Sequence, residues 1–312
     1  MVIAAVDIGG TKIAVGAVND HGRLLSREEI PTDAGQGYTS TLDQIGQMVR
    51  QVGEASGAEI SGIGIGSTGP LDPVTGEFGD VDFLPGWRGQ NPVRDLQQIF
   101  SVPVAMENDG DAAALGESAW GAARNKSRLI YITVGTGIGG GFIFDGELYR
   151  GVDHAHPEVG HQVIDASGPD CSCGFRGCWE SLAGGPAMVA WMEGNRPAGH
   201  QHHGALTAKR ICELAREGDP VARKAVEREA HYLGLGVANL ITLFTPDAIV
   251  LGGSVMKNAV LFLDGMRKTI ARGCRFVPFG KADLMLASLG EDSNLIGAAS
   301  VWHHRFRPHT NG

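Results

Sequence analysis

Residues 2–18 read VIAAVDIGGTKIAVGAV, and residues 128–144 read RLIYITVGTGIGGGFIF. Each is an apolar run, a turn rich in Gly and Thr, and a second apolar run, which predicts strand–turn–strand. The first opening continues through a turn at Asn19-Asp20-His21-Gly22 into a third strand at 23–30. A helix over 39–55 follows, with Leu42, Ile45, Met48, Val49 and Val52 at helical spacing. Then come a buried strand at 62–66, a Gly/Pro-rich loop over 67–90 and a helix from Pro92 capped by Asn91. A strand at 103–109 runs straight into an Ala-rich helix at 111–123. The second opening leads into a Gly/Cys/His loop (151–180) and helices at 186–193, 207–217 and 219–244. A strand at 249–253, a helix at 257–272, a strand at 283–288 and a helix at 295–304 complete the chain. The pattern restarts once, so the expectation is two similar α/β domains facing each other. The smaller takes residues 1–119 plus 295–312, the larger 120–294 with the Cys-rich loop. The boundary falls in the small and polar stretch 119–127.

The chain has 312 residues, of which 43% are hydrophobic and 20% charged, enough for a sizeable core. Its formal charge of −9, without a dense Lys/Arg run, argues against nucleic-acid binding and against a polybasic membrane surface. No apolar stretch approaches the length of a membrane span, and MVIAAVDIGGTK lacks the charged-then-apolar layout of a signal peptide, so a cytoplasmic protein is expected. There are 47 glycines, about twice the usual share of roughly 7%. They cluster in loops, and the loops carry the chemistry.

In DIGGTK (residues 7–12), Gly9 and Gly10 let backbone N–H groups approach an anion. Thr11 adds a hydroxyl, Lys12 a cation and Asp7 a carboxylate suited to hydrated Mg²⁺; an ordinary Gly-Gly turn remains the plain alternative. Gly135, Gly137 and Gly140 match the dinucleotide pattern G-x-G-x-x-G, as do Gly64, Gly66 and Gly69. Neither is followed directly by a helix, so a dinucleotide fold is not expected. In MENDGDAAALGE (106–117), Asn108 and Asp109 stand where a strand ends and a helix begins. Asp109 there suits a general base or a helix N-cap, and its position leaves both open. His161, Cys171, Cys173 and Cys178 lie within 18 positions and make a closed, structural Cys₃His zinc site. Cys212 and Cys274 read as buried apolar residues. Glu158 and Glu180 flank the cluster and could accept paired hydrogen bonds from a polyol. Residues 165–178 are too poor in apolar side chains to order by burial, so the metal is expected to order them and to support sugar binding rather than nucleotide binding. His154, His156, His200, His202 and His203 read as loop residues without a role.

Together, DIGGTK, GIGSTGP (64–70), ENDGDAAALGE, TVGTGIGGGFI, HPEVGH, CSCGFRGCWE and IVLGGS resemble, in this order and over almost the whole chain, the ROK family (repressor, open reading frame, kinase). The resemblance implies an actin-like ATPase fold: two ribonuclease H-like α/β domains with a cleft between them. It implies an ATP-dependent kinase acting on the primary hydroxyl of a hexose, with glucose first. Fructose, N-acetylmannosamine and N-acetylglucosamine remain alternatives. By the same resemblance, Asp7, Gly9, Gly10, Thr11 and Lys12 meet the ATP phosphates with Gly135, Thr136 and Gly137. Gly252 and Gly253 lie near the adenosine. Asp109 is the catalytic base, and Gly69, Asn108, Asp109, Glu158, His161 and Glu180 surround the sugar. Mg²⁺ accompanies ATP, Zn²⁺ is structural, and a homodimer or dimer of dimers is expected. One departure stands out: many members have Asn near the position of Phe83, where it meets the sugar. The family's repressors carry a helix-turn-helix before the first phosphate motif. Here that motif begins at Asp7, which favours the kinase over the regulator.

Overall fold

The computed structural model describes residues 1–196 and 205–307, so His200, His202 and His203 lie outside the described residues. The chain divides into two compact units. The first comprises Met1–Ser127, Gly141–Pro157 and Ala287–Gly312, the second Arg128–Gly140 and Glu158–Leu286. Residues 120–127, 141–157 and 287–294, which the sequence reading assigns to the larger domain, sit with the first unit.

In chain order the first unit begins with β1 (Val2–Ile8), β2 (Lys12–Asn19), β3 (Leu24–Pro31), α1 (Gly37–Ser56) and β4 (Ile60–Ser67). Next come the short β5 (Leu71–Asp72) and β6 (Glu77–Phe78), then α2 (Pro92–Phe100), β7 (Val104–Asn108) and α3 (Asp109–Ala119). The chain continues through β8 (Arg128–Val134), β9 (Ile138–Phe144), β10 (Glu147–Leu148), α4 (Trp179–Ala183), α5 (Gly185–Asn195), α6 (Ala208–Glu217) and α7 (Pro220–Phe244). It ends with β11 (Ala248–Gly252), α8 (Leu263–Gly273), β12 (Asp283–Leu286) and α9 (Ser293–Phe306). One sheet runs β3-β2-β1-β4-β7 and the other β10-β9-β8-β11-β12. Both follow one scheme: three strands in meander order, then two added on the far side of the first. In the first sheet β1–β2 and β2–β3 are antiparallel, while β1–β4 and β4–β7 are parallel. In the second, β8–β11 and β11–β12 are parallel. The internal repeat visible in the sequence is thus a repeat of topology.

β1 is buried on both faces, as its unbroken apolar run requires. Val2, Ala4, Val6 and Ile8 pack with Ile45, Val49 and Val52 of α1; Ile3 and Ala5 pack with Leu295, Ala298 and Trp302 of α9. The glycines of the GIGIG run are there for α9. A Cβ on Gly64 would stand 1.9 Å from the Ala298 carbonyl oxygen, and one on Gly62 2.0 Å from the Trp302 ring nitrogen. Of the spurious dinucleotide match at 64, 66 and 69, this close approach accounts for Gly64. Three boundaries also shift: the expected helix at 257–272 is a 3-10 segment Val255–Leu261 followed by α8, β9 starts earlier at Ile138, and β12 stops at Leu286. No described helix is long and apolar enough to cross a membrane.

Candidate functional site

In the first unit the site is built at the ends of β1, β4 and β7. DIGGTK is a tight turn closed by Gly9 N–H donating to the Lys12 carbonyl at 3.0 Å. Thr32 secures it from the side, its hydroxyl donating to the Gly9 carbonyl at 2.6 Å. Thr11 and Lys12 are exposed, and Lys12 pairs with Glu29 at 3.1 Å. The Phe83 ring lies 3.4 Å from the position a Gly10 side chain would take, so this departure from the family pattern packs against the DIGGTK turn. Asp7 is 6% exposed and accepts a hydrogen bond from the Asn294 amide at 3.1 Å. Burial raises its pKa from 3.8 to about 6, with Asp109 nearby adding to the rise.

At the junction of β7 and α3 the N-cap position falls to Asn108 rather than to Asp109. The residue that caps α3 is Asn108, whose side-chain oxygen accepts from Gly110 N–H at 2.8 Å. Asp109 is the first residue inside the helix. One of its oxygens also accepts from Gly110 N–H; the other accepts from the Thr68 hydroxyl at 3.1 Å. With a neighbour capping the helix, Asp109 is half-buried and turned toward Thr68. The Asn108 amide nitrogen is 3.7 Å from where a Gly69 side chain would begin, so Gly69, Asn108 and Asp109 converge. Thr68 and Asn294 were not singled out from sequence; Thr68 sits inside GIGSTGP, which offered the only signal.

The second unit presents the other glycine turn. Gly135 N–H donates to the Gly137 carbonyl at 2.9 Å, and Gly185 N–H to the Gly135 carbonyl at 2.8 Å. Glu180, in the first turn of α4, accepts from Ile138 N–H at 3.0 Å. A Cβ on Gly137 would lie 2.2 Å from that carboxylate. Glu180 therefore braces the turn that contains Thr136, a contact the sequence did not reveal. Gly253 has φ +91°, and a side chain there would strike Val134. Gly252 lies over the Tyr131 hydroxyl, so both glycines are needed for close approach to β8.

The four metal-ligand candidates do come together: one ligand atom from each of His161, Cys171, Cys173 and Cys178 lies within 4.8 Å of the others. Cys171 Sγ is 3.4 Å from His161 Nδ1, and Cys173 Sγ is 3.5 Å from Cys178 Sγ. A tetrahedral ion with bonds of about 2.0–2.3 Å spaces its ligands roughly 3.5–3.8 Å apart, so the donor set fits a metal of zinc's size and softness. Gly177, at φ +69°, sits against the Asp165 carbonyl where no side chain fits, which bends the loop back. Cys178 precedes α4 directly, and Glu158 precedes the 3-10 turn Val159–His161. Cys212 and Cys274 are buried, as expected.

His156 departs from the expectation that it has no role. Its Nδ1 lies 2.9 Å from Asp111 Oδ2, and Asp111 is 2% exposed. Nothing in the sequence pairs the two, which stand 45 positions apart.

A model of the ROK family matches residues 3–305. A glucokinase of Streptomyces coelicolor is 36% identical, over 95% of this chain and 96% of that protein. The crystal structure of a ROK family glucokinase from Streptomyces griseus, in complex with glucose and AMPPNP, is 34% identical with a TM-score of 0.80. The match covers 96% of this chain and 98% of that one. A ROK hexokinase from Thermus thermophilus matches at 34% identity and TM-score 0.80, over 97% and 98% of the two chains. By these matches this chain has the actin-like ATPase fold and belongs to the ROK family, among its sugar kinases.

Proposed function

We propose that this chain transfers the γ-phosphoryl group of ATP to the primary hydroxyl of glucose. The observation that carries the reading is at the β7–α3 junction, where Asn108 caps the helix and Asp109 is left as an oriented carboxylate beside Thr68. Asp109 accepts the proton of the attacking hydroxyl, and its hydrogen bond to Thr68 fixes which oxygen faces it. Asn108 and Gly69 hold the sugar on that side, and Glu158 accepts from its hydroxyls. His161 has Nδ1 turned toward Cys171, which leaves Nε2–H as a donor to a sugar hydroxyl. Glu180 supports the reaction by bracing the second glycine turn. Backbone N–H groups of both turns, with Thr11, Lys12 and Thr136, bind the phosphates, and Gly252 and Gly253 flank the adenosine.

Asp7 would hold Mg²⁺, which when bound neutralises charge on the transferred phosphoryl group. Its buried carboxyl, pushed up to about 6, is suited to a cation. Zinc held by His161, Cys171, Cys173 and Cys178 would leave no open position and would order residues 165–178. The homodimer implied by the family belongs to the same reading, and sedimentation measures it.

The test is ADP release over glucose, fructose, mannose, N-acetylmannosamine and N-acetylglucosamine, in wild type and Asp109→Asn. Glucose should give the highest kcat/KM. The variant should lose at least about 100-fold in kcat while still binding sugar. Near wild-type turnover by Asp109→Asn, or no turnover of any hexose by the wild type, refutes the reading.

A further inference from the structure

Glu107 and Asp111 flank Asn108–Asp109, one on β7 and one in the first turn of α3, and each is 2% exposed. Neither is used in the transfer described above. Both hold the same loop. The Arg150 guanidinium pairs with the Glu107 carboxylate at one foot, and His156 Nδ1 meets Asp111 at 2.9 Å at the other.

Between the feet the loop closes on itself: Gly151 N–H donates to the Ala155 carbonyl at 2.8 Å, and Ala155 N–H to the Val152 carbonyl at 3.0 Å. Asp153 and His154 have φ of +52° and +61°, a region that residues with a side chain enter at a cost. The loop tip is not held by burial, since Val152 is 83% exposed. Two buried carboxylates, Glu107 and Asp111, therefore hold a strained segment through Arg150 and His156. Buried pairs are a poor way to gain net stability. Asp111 Oδ1 is also buried without a hydrogen-bond partner, so this network is not optimised for stability.

What the network does secure is position. Both anchors land on residues that bracket Asp109. From the second anchor only Pro157, with its fixed φ, separates His156 from Glu158, so the chain reaches Glu158 with little slack.

We propose that His156 and Arg150 are positioning residues for the phosphoryl acceptor: they strap residues 150–157 to the junction that presents Asn108 and Asp109, and so fix the start of the segment carrying Glu158. The proposal rests on the sugar-kinase reading, because Glu158 is its sugar carboxylate. Neither residue touches substrate. Their removal costs hexose affinity and spares nucleotide affinity.

The experiment is steady-state kinetics of the full chain with its best hexose and ATP. His156→Ala should raise the hexose KM by about tenfold, with kcat within about threefold and the ATP KM within about twofold. His156→Gln keeps an N–H donor and should recover most of the loss. Asp111→Ala removes the other partner and should shift the KM values as His156→Ala does, which preserves the test if His156→Ala does not fold. Equal rises in both KM values overturn the proposal. So do lowered melting temperatures with both KM values unchanged. A wild type without hexose kinase activity overturns the functional reading as well; an active wild type with an unshifted KM ratio overturns this inference alone.

Discussion

In DIGGTK the turn is held near solvent, by the Thr32 hydroxyl and by an exposed Lys12–Glu29 pair, with a titrating Asp7 at its base. In VGTGIGG it is held from within, by the Glu180 carboxylate on Ile138 N–H and by Gly185 N–H on the Gly135 carbonyl. The two motifs share composition and a place in the sheet order, yet their supports differ in kind. The first rests on a neutral hydroxyl bond and its own backbone, with an exposed ion pair and a buried carboxyl beside it that are open to salt and pH. Backbone and the Glu180 carboxylate, two residues past Cys178, hold the second, which ties it to the Cys-rich loop.

That tie gives the largest predicted effect. The sequence reading expects Cys173→Ala to weaken sugar binding and spare ATP. The hydrogen bond from Ile138 to Glu180 changes the expectation, because loosening Cys178 loosens the brace. Purified protein should hold about one zinc per chain by elemental analysis. Cys173→Ala or chelation should weaken both ligands by about tenfold or more, read by separate titrations. Retained nucleotide affinity in the metal-free protein would cut the link between metal loop and second turn.

Asp7→Asn probes the first turn. The folded-state pKa of Asp7 is raised, so its contribution to stability is present below about 4 and lost as pH rises through about 6. The variant should therefore gain stability over wild type across that window, reaching about 3 kcal/mol at pH 7. It should also bind Mg²⁺-nucleotide more weakly. His303, lowered to about 4 by burial, shifts stability in the opposite direction over a similar range, so the difference between variant and wild-type melting curves is the quantity to plot. Parallel curves from pH 4 to 7 would remove Asp7 as a titrating base of the turn.

Glu180→Ala should cost about 1–3 kcal/mol, by leaving Ile138 N–H without its acceptor. It should raise the ATP KM along with the sugar KM. Lys12→Ala should be smallest in stability: its pair with Glu29 is solvent-exposed, and the melting temperature should hardly move while the ATP KM rises. A Lys12→Ala protein that melts as early as Glu180→Ala would erase the contrast between the two turns.

The repeated topology was legible because β1 and β8 are unbroken apolar runs ending in glycine turns, a local signal. The metal cluster was legible because Cys and His are rare and closely spaced. The pairing of His156 with Asp111 was not, since it depends on a loop returning to a helix that only the fold brings near. Glu180 was legible for its place beside the cluster, which is local, whereas its bond to Ile138 crosses 42 positions and was not. The purpose of the glycines at 62 and 64 was hidden for the same reason, because what excludes a side chain there is α9, more than 200 residues away. Asp109 required the coordinates to show that Asn108 caps the helix.

The discontinuity of the first unit has a consequence for synthesis. Ile3, Ala5, Ala14 and Val18 are covered by α9, which starts at Ser293. On a ribosome adding roughly 5–20 residues per second, β4 is complete about 10–45 s before α9 is made. Until then one apolar face of the nascent sheet stands open, while the whole of the second unit, ending at Leu286, has already emerged ahead of that helix. The C-terminal helix is thus the last piece of the N-terminal unit, and a truncation that removes it would leave the earliest-made strands without their cover.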